Sequence, residues 1–241
     1  EAGYRVVLVD LTLRLGSDLA LALGLDADPS FADLVPDIET VVPKSMEHYL
    51  LAHDSGIRLL AAPLTPDKWQ RIREGHVEKA IHLLRYRFDF VIVDLASNFD
   101  NRVLAVLPIS SKIYALMTPD AAALQNMKGL AKLMRLLGYS GHTQIVLNRL
   151  TGKEILTVAE METIIGQAFD HVIPEMANWR RRVDGFTQPA ALEMTKELGS
   201  MVNELTDGRS GGSLPAPTSR WLFPLIPGFM RSEAPKMEPS Q

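Results

Sequence analysis

Two aspartates stand where open parallel sheets do their chemistry. In Phe88-Asp89-Phe90-Val91-Ile92-Val93, Phe88 and the run Phe90 to Val93 are apolar, and the stretch stops on a carboxylate at Asp94. Without alternation of polar and apolar faces, such a run predicts a strand buried on both sides, as in parallel sheets covered by helices. Arg5-Val6-Val7-Leu8-Val9 repeats the pattern and stops on Asp10. Ligands in such sheets sit just beyond the carboxyl ends of the strands. An Asp at that edge either caps a loop or is aimed at something bound, often a metal-phosphate. A third polar strand end is Leu147-Asn148-Arg149, for which a strand-end Asn in a turn is the plain alternative.

Other chemistries find less support. The chain has no Cys, which excludes disulfides, thiolate metal sites and a Cys nucleophile and fits a reducing compartment. The six His residues show no HExxH or other tight ligand spacing, so surface or helix-end positions are expected for them. No Gly-x-Ser-x-Gly elbow supports a Ser hydrolase. The net charge of -4 disfavours non-specific nucleic-acid binding by the whole surface. Arg180-Arg181-Arg182 is therefore expected on a solvated loop or helix face.

The elements that must position these residues alternate along the chain. Strands are expected at Arg5–Asp10, Ile57–Ala61, Phe90–Asp94, Lys112–Met117, Thr143–Leu147 and His171–Ile173. Helices are expected over Gly16–Gly24, Ser30–Val35, Ser45–Ala52, Glu74–Arg87, Asn101–Leu107, Asp120–Leu137, Glu154–Ala168 and Pro189–Leu205. Pro63 and Pro66 mark a loop, and the Met-bearing side of the Asp120 helix should face the core. Alternation of this kind implies right-handed crossovers and an α/β fold, a mainly parallel sheet flanked by helices on both faces. At 241 residues and 46% hydrophobic, one domain over residues 1–206 accounts for most of the chain.

From 207 to 241 the composition changes. Gly208 to Ser219 is rich in Gly, Ser and Pro, as flexible linkers are. Beyond it runs Arg220-Trp221-Leu222-Phe223-Pro224-Leu225-Ile226-Pro227-Gly228-Phe229-Met230-Arg231. That apolar stretch flanked by Arg suits weak contact with an anionic membrane surface or docking to a partner. Pro224 and Pro227 oppose a regular helix there. No apolar run approaches the ~20 residues needed to span a bilayer.

Taken in order, these segments resemble the MinD/ParA superfamily of P-loop ATPases, and within it the CpaE/TadZ branch of pilus-assembly and localisation proteins. Val9-Asp10-Leu11-Thr12-Leu13-Arg14-Leu15-Gly16-Ser17-Asp18-Leu19-Ala20-Leu21-Ala22-Leu23 resembles that branch's VDLDLQFGDLALAL signature. Phe88 to Leu95, with Asn98-Phe99-Asp100 as its sequel, is similar to a Walker B strand, and Leu116-Met117-Thr118-Pro119-Asp120 and Val146-Leu147-Asn148-Arg149 also match. The resemblance covers residues 3 to about 205. It implies ATP and Mg2+ as cofactors of the complete protein, with Asp94 holding the metal, since magnesium takes few protein carboxylates beside phosphate oxygens and water. Asp10 would orient water as the catalytic residue. Asn148 and Arg149 would contact the nucleotide, Asn148 at the adenine edge, and Pro174 to Met176 would line the base.

The resemblance further implies a nucleotide-sandwich homodimer that helps assemble or position a type IV pilus or Flp/Tad secretion machine. Such a protein is cytoplasmic, or peripheral to the inner membrane through its tail, and binds no specific nucleic acid. The chain departs from the family in two ways. The phosphate loop, a KGGxGK[ST]-like segment, is absent, and Thr151-Gly152-Lys153 is a lone Gly-Lys pair in a turn. Thr12 stands where the branch has a second acid, and a Thr cannot activate water as a carboxylate can. The first departure predicts an empty slot beside the Phe90 strand, with exposed ladder edges and an apolar trough. Ala2-Gly3-Tyr4-Arg5-Val6 looks like the turn leaving the family's phosphate-loop helix, so the chain is expected to be a fragment lacking an upstream phosphate-loop segment. The rival expectation is a degenerate, non-hydrolysing localisation scaffold that binds partners without turnover.

Overall fold

The computed structural model describes residues 3–12, 16–97, 99–175 and 191–206, with the side chains of 191–195 set aside. In chain order the strands are β1 (Val6–Leu11), β2 (Leu51–Ala52), β3 (Arg58–Leu60), β4 (Phe90–Leu95), β5 (Ile113–Met117), β6 (Thr143–Leu150) and β7 (His171–Pro174). The helices are α1 (Asp18–Leu23), α2 (Phe31–Leu34), α3 (Pro66–Trp69), α4 (Glu74–Arg85), α5 (Asn101–Val106), α6 (Ala121–Leu136), α7 (Val158–Ile165) and α8 (Ala191–Thr206). The fold is mixed α/β, with mainly parallel strands and helices on both sides. Four strands run β2-β3-β1-β4 and three run β5-β6-β7. Among the described residues only the β2–β3 pair is antiparallel.

Apolar alternation decides which way each strand faces. Val7, Val9 and Leu11 of β1 pack with Phe31 and Leu34 of α2 and with Val77, Ile81 and Leu84 of α4. On the opposite face Ala20 of α1 meets Leu59 and Ala61, with Leu8 of β1 beside them. In the second sheet Ala115, Met117, Ile145 and Leu147 pack against Leu124, Met127 and Ala131 of α6 and Met161 and Ile165 of α7. The Met127 side of α6 thus lies in the core, as expected. Glu204 of α8 accepts from Nε2 of Gln144 at 3.0 Å and from Nζ of Lys112 at 3.3 Å, anchoring α8 to the second sheet.

Among the described residues no strand pair joins the two sheets. Among the described residues β4 pairs only with β1, and β5 only with β6. Each of these edges carries a bare apolar side chain: Ile92 is 50% exposed and Leu116 is 60% exposed. This corrects the expectation that the Phe90 strand is buried on both faces. Val91, Val93 and Leu95 do lean on the first core, but α1 covers β3 and β1 and leaves the Ile92 side of β4 in water. Of β1 and β4 the more buried strand is β1, with Val7, Val9, Asp10 and Leu11 buried.

Smaller differences have local causes. The segment expected as one helix over 45–52 is a 3-10 turn at Pro43–Tyr49 followed by β2, because Leu51 and Ala52 pair with Leu59 and Arg58. Pro66 opens α3 rather than extending a loop; a Pro is tolerated in the first helical turn. The helix expected from Glu154 starts only at Val158, where Thr157 and Glu160 form a capping box, and Gly166 closes it in the left-handed conformation. His171 is buried at 5% exposure on β7, not at the surface; its Nε2 lies 3.3 Å from Oε1 of Gln144 and 3.6 Å from Glu204 of α8.

Candidate functional site

Asp10 and Asp94 are register partners at the carboxyl ends of β1 and β4. Val9, Leu11, Val93 and Leu95 all turn into the first core, so both carboxylates project from the other face. Their surroundings differ. Asp10 is fully buried, and its Oδ1 accepts from the Thr12 N–H at 3.0 Å and the Thr12 hydroxyl at 2.6 Å. Its Oδ2 accepts from the Ser17 hydroxyl at 2.6 Å and, at long range, from the Leu19 N–H at 3.4 Å. Four donors compensate the desolvation of one carboxylate and tie the end of β1 to the start of α1. Asp94 is only partly buried and lies at the sheet rim.

Ser17 was not among the sequence-derived site residues. It is buried, caps α1 by accepting from the Ala20 N–H at 3.2 Å, and donates to Asp10 at the same time. The signal was a Ser directly before a helical apolar run, an ordinary cap signature. Thr12, read as the loss of an acid, proves to be a second donor to Asp10. Beside Ser17 opens a groove of about 670 Å³ lined by Asp18, Leu21, Leu25, Asp26, Asp28 and Leu64.

At the end of the second sheet, Asn148, Arg149 and Pro174 come together. Asn148 pairs with Ile173 and Leu150 with Pro174, and the register shifts between them. Arg149 occupies that bulge at φ 62°, the one positive-φ residue other than Gly among the described residues. A bulge re-aims side chains at a strand end. The Thr151-Gly152-Lys153 turn is closed on Glu154, which accepts from the Thr151 N–H at 2.6 Å and its hydroxyl at 2.7 Å. These donors, the hydroxyl first, hold the Glu154 carboxyl below its ordinary range. The Thr151 N–H therefore serves a carboxylate of the chain itself, and the Lys153 N–H donates to the Thr151 hydroxyl at 3.1 Å.

Asp100 caps α5 through the N–H groups of Arg102 and Val103. Burial works to raise its carboxyl pKa, but the Arg102 guanidinium and the cap outweigh it and the net shift is downward. Among the described residues no three His, Asp or Glu side chains converge as a metal cage, and no helix is long and apolar enough to cross a membrane. An ion held by one carboxylate, phosphate oxygens and water needs no such cage, and the partly exposed Asp94 at a strand end fits that donor role. Asn98, Met176, Arg180-Arg181-Arg182 and the 207–241 tail lie outside the described residues.

No protein-family model and no curated protein matches the chain. Solved structures do. A ParA family ATPase from Chlorobium tepidum superposes with a TM-score of 0.68 at 24% identity, over 74% of this chain and 75% of that one. MinD of the MinC:MinD cell division complex from Aquifex aeolicus gives a TM-score of 0.62 at 18% identity, over 89% of this chain and 86% of that chain. The septum site-determining protein MinD from Pyrococcus horikoshii, solved with Mg-ADP, gives 0.64 at 15% identity, over 84% and 86%. At these identities the likeness is one of architecture, and the architecture of this chain is that of the P-loop ATPases MinD and ParA.

Proposed function

We propose that this chain is the body of an ATP- and magnesium-dependent switch of the MinD/ParA kind, acting as a homodimer in pilus assembly or its polar localisation, as CpaE/TadZ-like proteins do. The observation that carries this reading is the side-by-side placement of Asp10 and Asp94 at the carboxyl ends of two parallel strands. Asp94 would hold the magnesium, which supplies charge neutralisation between the phosphates. Asn148, Arg149 and Pro174 would receive the base. Asp10 would act on water only by giving up a bond from Ser17 or Thr12; with those bonds in place it fixes the loop that borders the phosphates. The MinD–MinC complex and the Mg-ADP form of MinD support the coarser idea of a nucleotide-loaded partner-binding protein.

The missing wall of the site would be a phosphate-loop strand and helix seated between β4 and β5. Among the described residues β4 pairs with no strand but β1, and β5 with none but β6; with the exposed Ile92 and Leu116 this supports that placement, since bare apolar faces at strand edges are costly. The test is a gain of function. A strand–loop–helix unit carrying a KGGxGK[ST] loop, joined ahead of Glu1, should confer tight, magnesium-dependent ATP binding that Asp94→Ala removes, while the 241-residue chain alone binds ATP weakly. Tight saturable binding by the chain alone, or no gain in a folded fusion, would overturn the reading.

A further inference from the structure

The groove beside α1 has a composition that points to its occupant. Its lining combines apolar Leu21, Leu25 and Leu64 with acidic Asp18, Asp26 and Asp28. Leu21 is 80% exposed and Leu64 is 55% exposed. Neighbouring bare leucines among charges of one sign mark a docking surface rather than scattered surface apolars. The chain itself carries the complement: Trp221, Leu222, Phe223, Leu225 and Ile226, bracketed by Arg220 and Arg231.

We infer that the segment 220–231 docks in cis into the groove formed by Leu21, Leu25 and Leu64, with Arg220 and Arg231 against Asp18, Asp26 and Asp28. The tether is long enough. Residues 207–219 span up to about 45 Å when extended, and a body of about 200 residues is roughly 40 Å across. Tethering also raises the segment's effective concentration to the millimolar range, so a weak site is filled. Pro224 and Pro227 suit an extended strip in an open groove and not a helix. Because Ser17 lines the same groove and bonds Asp10, a docked tail lies against the contact that ties β1 to α1. None of this rests on the nucleotide reading.

The chain has no Cys, so disulfide trapping in the full chain is clean. Leu21→Cys is paired with Leu225→Cys, and as a reference Leu136→Cys, on the 74% exposed end of α6, with the same tail position. Under mild oxidation at low protein concentration the 21–225 intrachain link should form on the order of tenfold faster than the 136–225 link. Asp26→Lys should slow it, and adding Arg220→Glu should restore it. Equal rates at the two positions would overturn the inference. So would links forming only between chains, which assign the groove to a second copy. Sedimentation with phosphatidylserine vesicles without preferential 21–225 trapping would assign the segment to a lipid surface instead.

Discussion

The Ser17 hydroxyl donates to Asp10 at 2.6 Å while accepting from the Ala20 N–H, so one side chain ties the end of β1 to the start of α1. Ser17→Ala removes a helix cap and orphans part of a buried carboxylate. A loss of about 1–3 kcal/mol is expected, measured by urea unfolding at neutral pH. Ser17→Thr keeps the hydroxyl and should recover most of it.

Leu84 and Leu116 separate the finished core from the interrupted one. Leu84 is fully buried under the first sheet, and Leu84→Ala should cost about 2–5 kcal/mol. Leu116, on β5, which among the described residues pairs only with β6, is 60% exposed, and Leu116→Ala should change stability by no more than about 0.5 kcal/mol. The same denaturant titration reads both. If Leu116→Ala costs as much as Leu84→Ala, β5 is covered in solution.

The amide of Gln144, aided by Lys112 and opposed by burial, holds the Glu204 carboxyl below its ordinary range. A carboxyl whose pKa is lowered on folding adds stability above its unfolded value near 4.3, and that stability fades as pH falls through the lower folded value. Protection factors of the α8 amides, taken against the intrinsic exchange rate at each pH, should therefore fall on acidification below that point in the parent. Glu204→Gln should flatten the acid limb, and parallel pH profiles would remove Glu204 as the anchor.

Arg149 sits at φ 62° in the β6 bulge, a conformation that disfavours side chains with a Cβ by roughly 1 kcal/mol or more. Arg149→Gly should leave stability within about 1 kcal/mol of the parent. In the loop-bearing fusion it should weaken ATP binding. Unchanged affinity would remove Arg149 from the nucleotide site.

What could be read from the chain was what depends on near neighbours. The β1 run and its terminal Asp10, the caps at Asp120 and Gly24, and the buried side of α6 follow from periodicity and turn chemistry. What escaped depends on distant partners. Nothing within Phe90-Val91-Ile92-Val93 says that β4 lies at an edge, because that is decided by which strand stands alongside. His171 is hidden by α8, some thirty residues on. The pair Leu51 and Ala52 is a strand only because Arg58 and Leu59 return beside it. The site shows the same division: the spacing placed the carboxylates at strand ends, but the commitment of Asp10 to Thr12 and Ser17 emerged only from the folded loop.

A gap between β4 and β5, as proposed above, would have a cost in the cell. Exposed strand edges recruit wrong partners, so a chain with that gap open would be a client for holdase chaperones and proteases until something occupied it. Abundance would then report occupancy: whatever strand completes the sheet also sets how long the polypeptide survives.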